Sequence, residues 1–432
     1  MTDRPTGTAP TSRQGSAPFR RQRRGFSAAL LGPAFVAAVA YVDPGNFATN
    51  VQAGTEYGPL LLWVVIAANL VAMLLQYLSA KLGLATGRSL PQLCRERYPG
   101  PVVYGLWAQA EVVVVMTDLA EVVGGAVALH ILFGLPLPLG GLVIGTVSLL
   151  IMPMGAGGRR RFEVFMALAL ALLLGTFLGQ ALGTPGLWES AGRGLVPRAV
   201  PGTDSLVLAG GIVGATVMPH VVYLHSALTS GRRGAGPPGG GAERATASRG
   251  RLLWHTRVDV ALAMGLAGAV NAALLLSAAT LFHPGAPAAA GSLEAAHSAY
   301  AGLAGPLAAA SFGLALLVSG LAGTSVGMYA GQVVMDGFLR RRIPLALRRT
   351  LTVVPALAVL ASGISPTGAL VLSQVALSFG IPFALFPLVL LTRDRSVMGP
   401  WVNRRATTLC AWTVSAVVLA LNGALVVSLL TG

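Results

Sequence analysis

Charge is what this sequence has least of. Only 10% of its 432 residues are Asp, Glu, Lys or Arg, whereas soluble domains carry roughly 25%. Hydrophobic residues make up 54%, so a soluble globular enzyme is excluded. The apolar runs are helix-length, unlike the ~10-residue alternating segments of a barrel. Cysteine is nearly absent: Cys94 and Cys410 stand alone, without a CxxC neighbour, which excludes a disulfide scaffold and a cysteine metal centre. No HExxH occurs, and the glycines of 231–251 precede no GK[ST], so neither a zincin nor a P-loop is present. Residues 1–25 lack the apolar core and cleavage site of a signal peptide and read as a disordered cytoplasmic tail.

What remains is an integral membrane protein. Eleven hydrophobic segments lie near 27–56, 59–86, 101–132, 138–156, 162–182, 204–230, 254–282, 303–336, 346–364, 367–391 and 406–431. The net charge of +15 is explained by its placement. With the N-terminus inside, the arginines of the tail (Arg20 to Arg24) and of the stretches around 88–97, 159–161, 232–257, 340–349 and 393–405 all fall on the cytoplasmic side. The opposite loops hold Arg193 and Arg198 alone. This is a positive-inside pattern with N-in, C-out topology, not a nucleic-acid footprint. The loop 231–251 reads as a flexible connector, and 89–98 as an interfacial helix.

Two of the segments are interrupted. The first carries Asp43-Pro44-Gly45-Asn46 at its middle, and the sixth carries Met218-Pro219-His220. Proline removes a backbone donor and clashes with the preceding turn; Gly45 eases an unwound backbone. Five segments separate the two breaks. Five is odd, so the second group of five enters the membrane in the opposite sense, as in an inverted-topology repeat with discontinuous helices. Carbonyls freed at that depth are expected to face a cavity or a ligand. A charged residue at mid-bilayer costs at least ~2.5–3.5 kcal/mol on insertion scales, so Asp43 points to function. Its carboxylate is expected to have no helix hydrogen-bonding duty.

Asp43 supplies a hard charged oxygen, Asn46 a neutral one, and the unwound carbonyl of Ala215 another. Met218 adds a thioether, which favours transition metals over Ca²⁺ and Mg²⁺; packing alone is the other use of a buried methionine. The DPGN of the first segment and the A-x-x-M-P-H of the sixth (Ala215, Met218, Pro219, His220) resemble the NRAMP family of divalent metal transporters. TDLAEVVG, YAGQVVMDGFL and SQVALSFGIPFALFPL agree, and the resemblance covers 26–431. It implies an all-α LeuT-like fold of eleven transmembrane helices over 26–432, with two inverted five-helix repeats and unwound helices 1 and 6. It further implies proton-coupled uptake of Mn²⁺ or Fe²⁺, and of Cd²⁺, Co²⁺ and Zn²⁺, with Asp43, Asn46, Met218 and the Ala215 carbonyl as metal ligands. Gln374 matches a position that completes the shell in some states. Met218 argues against the family's magnesium- and aluminium-linked relatives, which lack it.

Glu111, Asp118 and Glu121 of the third segment fall on one helical stripe, which should not face lipid. The family pairs such a stripe with an arginine of the ninth segment, where Arg348 and Arg349 are both candidates. These residues, with Asp43 and His220, are the expected proton route; a structural ion pair is the other reading. His220 and His225 are five apart, too far around a helix for a metal clamp. His255 and Asp259 read as a local pair, and Asn69, Gln76 and Asn271 as interhelical hydrogen-bonding residues. No resident cofactor is expected; the partners are metal ions, protons and the bilayer, and the protein is expected to be a monomer in the cell inner membrane. Three rivals exist. An amino-acid or Na⁺ transporter would need a small-residue pocket at the first break, which Asp43 crowds. A membrane metalloenzyme would need a nucleophile or base beside the metal. A passive metal channel is separated poorly by sequence.

Overall fold

The computed structural model describes residues 32–151, 159–184, 186–198, 202–231, 242–282 and 291–431; the N-terminal tail lies outside them. Helices follow the apolar runs, and proline and glycine punctuate them. The helices are α1 (Pro33–Ala40), α2 (Pro44–Tyr57), α3 (Leu62–Thr86), α4 (Leu90–Arg97), α5 (Gly100–Phe133), α6 (Leu137–Ile151), α7 (Arg159–Leu182), α8 (Leu187–Gly194) and α9 (Thr203–Thr216). They continue as α10 (Pro219–Ser230), α11 (Ala242–Leu281), α12 (Leu293–Ala304), α13 (Pro306–Leu339), α14 (Leu345–Ala361), α15 (Pro366–Arg393), α16 (Arg395–Met398) and α17 (Arg405–Thr431). No strand occurs among the described residues.

Proline opens many of these helices, including both second halves of the interrupted segments, α2 and α10. A missing N–H costs nothing in a first turn. Gly87 and Gly134 close α3 and α5 in the left-handed conformation (φ 70° and 68°). The expected interfacial helix is α4, whose Ser89 and Gln92 form a reciprocal capping box. The connector expected over 231–251 is shorter than the composition suggested: α11 begins at Ala242, because AERATASR consists mostly of helix formers once the Gly/Pro run ends.

Each of the eleven hydrophobic segments contains helix among its described residues, and eight stretches of the described residues are long and apolar enough to cross a bilayer. The difference has physical causes. The first segment is split, its second half runs into α3 through a 3₁₀ turn at Gly58–Leu61, and α6 and α14 are short.

The two breaks lie at Tyr41–Asp43 and Val217–Met218. α5 packs along α13 over its length, and α2 lies among α11, α9 and α15. The freed carbonyls near the first break are closed by side chains, as buried backbone acceptors require. Asn271 of α11 donates to the Tyr41 carbonyl at 2.8 Å, and the Ser319 hydroxyl donates to that of Val42. The other end of α1 is also tied to α11: the Gly32 and Ala34 amides donate to the Asp259 carboxylate, each at 3.2 Å. Asp259 therefore caps a neighbouring helix, a role its spacing from His255 did not suggest.

Candidate metal site

Asp43 is the N-cap of α2, with extended backbone (φ −86°, ψ 166°). Its Oδ1 accepts from the Asn46 amide at 2.9 Å and from Asn46 Nδ2 at 2.7 Å. The expectation that no helix hydrogen bond depends on this carboxylate is wrong, because the chain leaves the break through an aspartate cap. One oxygen is spent on the cap; the other, Oδ2, is buried without a hydrogen-bond partner among the described residues.

Asn46 joins the two breaks. Its Nδ2 also donates to the Ala215 carbonyl at 3.0 Å, and its Oδ1 receives the Thr216 hydroxyl at 3.4 Å. Ala215 lies in the last turn of α9, and its carbonyl has no helical donor four residues on, because that residue is Pro219. Met218 follows as the N-cap of α10, extended (φ −75°, ψ 113°) and fully buried. Gln374 of α15 lies against both breaks. A Cβ on Gly45 would run into its side chain, and one on Gly214 into its backbone carbonyl. Gln374 Oε1 is also without a partner among the described residues. The structure thus brings Asp43, Asn46, Ala215 and Gln374 together and places Met218 three residues from Ala215. Among the described residues no three His, Cys, Asp or Glu side chains converge as a resident metal centre would need. One carboxylate, neutral oxygens and a thioether suit an ion that is bound and then released.

His220, the second residue of α10, is fully buried. Its Nδ1 lies 3.3 Å from the Thr117 hydroxyl, and its Nε2 has no partner among the described residues. Thr117 precedes Asp118, so His220 touches the acidic helix. His225 is a packed residue whose Nδ1 lies 2.7 Å from Gln76 Oε1, while Gln76 Nε2 donates to the Tyr41 hydroxyl.

The acidic stripe on α5 uses both candidate arginines of α14. Arg348 forms a two-pronged pair with Glu111 (2.7 and 3.4 Å), and Arg349 pairs with Asp118 at 3.6 Å. The Arg349–Asp118 pair is almost wholly buried. Glu121 is fully buried, and neither of its oxygens has a hydrogen-bond partner among the described residues; the neighbouring Thr324 hydroxyl donates instead to the Gly320 carbonyl at 2.7 Å. Sequence reasoning missed what makes room for these charges. Gly323 and Gly327 of α13 sit against the Glu121 and Asp118 carboxylates, and Gly331 against the Arg348 guanidinium. Their spacing of four residues was the available signal, a small-residue seam. Thr117, Thr216 and Ser319 gave none.

Comparison with known proteins places these features. The family profile described as Natural resistance-associated macrophage protein-like, Nramp, matches residues 34–428. The chain is 51% identical over 405 residues to the divalent metal cation transporter MntH of Mycobacterium tuberculosis, covering 93% of this chain and 92% of that one. It is 45% identical over 406 residues to the MntH of Bacillus subtilis (94% and 93%). Among solved structures, a mutant of the Eremococcus coleocola manganese transporter superposes with a TM-score of 0.78 at 29% identity, covering 90% of this chain and 84% of that one. Mhp1, a nucleobase-cation-symport-1 family transporter, shares the fold at 15% identity with a TM-score of 0.57, over 93% and 91%.

Proposed function

The chain belongs to the Nramp family, and from that premise we propose that it is a proton-coupled symporter. It carries Mn²⁺ or Fe²⁺, and with them Cd²⁺, Co²⁺ and Zn²⁺, into the cytoplasm by alternating access. It is a multi-pass membrane transporter rather than an enzyme, and it sits in the plasma membrane with its N-terminus inside and its C-terminus outside.

One observation carries the reading: Asn46 bridges the two broken helices, between the Asp43 carboxylate and the Ala215 carbonyl. An arriving divalent ion takes the place of that bridge. Asn46 turns its amide oxygen toward the ion, Asp43 offers Oδ2, and the Ala215 carbonyl loses its amide donor and gains a cation. The Met218 sulfur biases the set toward transition metals, and Gln374 Oε1 is positioned to complete it.

Two positive charges beside Asp43 displace a proton held there. The acceptors within the fold are Asp118 and Glu121, reached past His220 and Thr117. A buried carboxylate without a partner is costly as an ion, so Glu121 is a natural place to hold a proton. Arg349 beside Asp118, and Arg348 beside Glu111, balance the charge that remains.

The test is Mn²⁺ uptake into proteoliposomes at fixed voltage, with and without an inward proton gradient. Uphill accumulation driven by the gradient, with lumen acidification dependent on Mn²⁺, supports symport. Mn²⁺ entry unaffected by the gradient reduces the protein to a passive metal pathway.

A further inference from the structure

A cleft of about 410 Å³ opens on the flank of the bundle between α3, α9 and α17. It is separate from the metal site and from the charges of α5 and α14. Its walls are apolar, among them Val64, Leu206, Val213 and Leu421, and its volume falls in the range of ligand sites. Beside the hydroxyls of Ser205 and Thr413, Arg198 and Trp63 break the pattern. Arg198 is exposed and carries no ion pair among the described residues, whereas Arg193, in the preceding α8, is paired with Glu189 at 3.1 Å. Trp63 has an indole N–H that is buried without an acceptor among the described residues. The lining stretch from Leu206 of α9 to its C-cap Val217 is about 16 Å long at the helical rise, close to half of a ~30 Å hydrocarbon core. A cation beside an apolar trough as long as one leaflet is deep matches one chemistry, a phosphate attached to an acyl chain.

We propose that this cleft binds one anionic phospholipid. Its phosphate rests on Arg198, an ester carbonyl accepts from Trp63, and an acyl chain lies along α9 as far as Val217. Val217 adjoins Met218, so the lipid reaches the edge of the second break. Only the naming of the leaflet, the outer one, rests on the orientation proposed above.

Native mass spectrometry of the full chain released from nanodiscs of equal phosphatidylglycerol and phosphatidylcholine tests this. The expected result is one retained phospholipid per chain, with phosphatidylglycerol preferred about fivefold, as one arginine near a membrane surface provides. Arg198→Gln removes the preference while a lipid is still retained. Ala67→Phe and Ala209→Phe fill the cleft from two walls and lose the retained lipid; monodispersity and a cooperative thermal transition identify which of them is folded, so either suffices. Equal retention of the two lipids by the wild type, lipid retained unchanged in a folded filled variant, or a second copy of the chain in place of the lipid overturns the proposal.

Discussion

Replacing Asp43 separates two duties that one side chain performs. Its Oδ1 caps α2 through the Asn46 amide, and its Oδ2 is the unpartnered charge at the break. Asp43→Ala removes both and sacrifices the cap, about 1 kcal/mol of stability. Asp43→Asn keeps a good cap and removes only the charge. A carboxylate 4 Å from a divalent ion is worth about 8 kcal/mol gross at an effective dielectric of 20. Against this stands the water the carboxylate surrenders, and truncating one member of a buried charge pair costs a net 2–5 kcal/mol. Affinity for Mn²⁺ should therefore fall about 30-fold to several thousand-fold in Asp43→Asn, with a melting temperature near that of the wild type. Asp43→Ala should lose as much affinity and melt lower. Calorimetric titration with Mn²⁺, uptake in proteoliposomes and thermal unfolding read the three quantities. Wild-type affinity and uptake in a monodisperse Asp43→Asn protein would refute the assignment of the charged ligand.

Met218→Ala should lower Cd²⁺ uptake more than Mn²⁺ uptake and let Ca²⁺ compete, because the thioether favours soft ions; unchanged selectivity in competition assays would leave Met218 a packing residue. Asp118→Asn should uncouple the fluxes, Mn²⁺ still entering while metal-stimulated proton entry falls, and should cost up to about 3–5 kcal/mol by stranding the buried Arg349. The double variant Asp118→Asn/Arg349→Gln should recover stability but not coupling; recovery of both in parallel Mn²⁺ and proton recordings would make the pair structural. Gly214→Ala should destabilise by about 1–3 kcal/mol, since its methyl would overlap the Gln374 carbonyl between α9 and α15. An unshifted unfolding curve would show that the two helices separate freely.

The breaks were legible because proline, glycine and aspartate in an apolar run are anomalies within one segment. So was the acidic stripe, which is a periodicity. Partner choice was not. Asn46 reaches Ala215 across 169 residues, Asn271 reaches Tyr41 across 230, and Arg348 reaches Glu111 across 237. Such distances are set by how helices cross, and no local pattern encodes them. The two arginines of α14 show this well. Adjacent residues point about 100° apart on a helix, which suggests that one faces the acids and one does not. Both face them, because Glu111 and Asp118 are two turns apart on α5 and each arginine meets a different level. Asp43 misled for the opposite reason: its functional anomaly concealed an ordinary cap written in the same three residues.

The attachment of α1 gives experimental access to its motion. Eight residues are too few for a helix to hold itself together in isolation, and both ends of α1 are bonded to the same neighbour. Asp259 and Asn271 are twelve residues apart on α11, about 18 Å along its axis. The segment from Gly32 to Tyr41 is therefore pinned at head and foot to one rod, and departure from that rod must undo both attachments. Until it does, the Gly32 and Ala34 amides point into a carboxylate. Their deuterium uptake consequently reports detachment of α1 directly, with no metal, dye or substituted residue needed to see it.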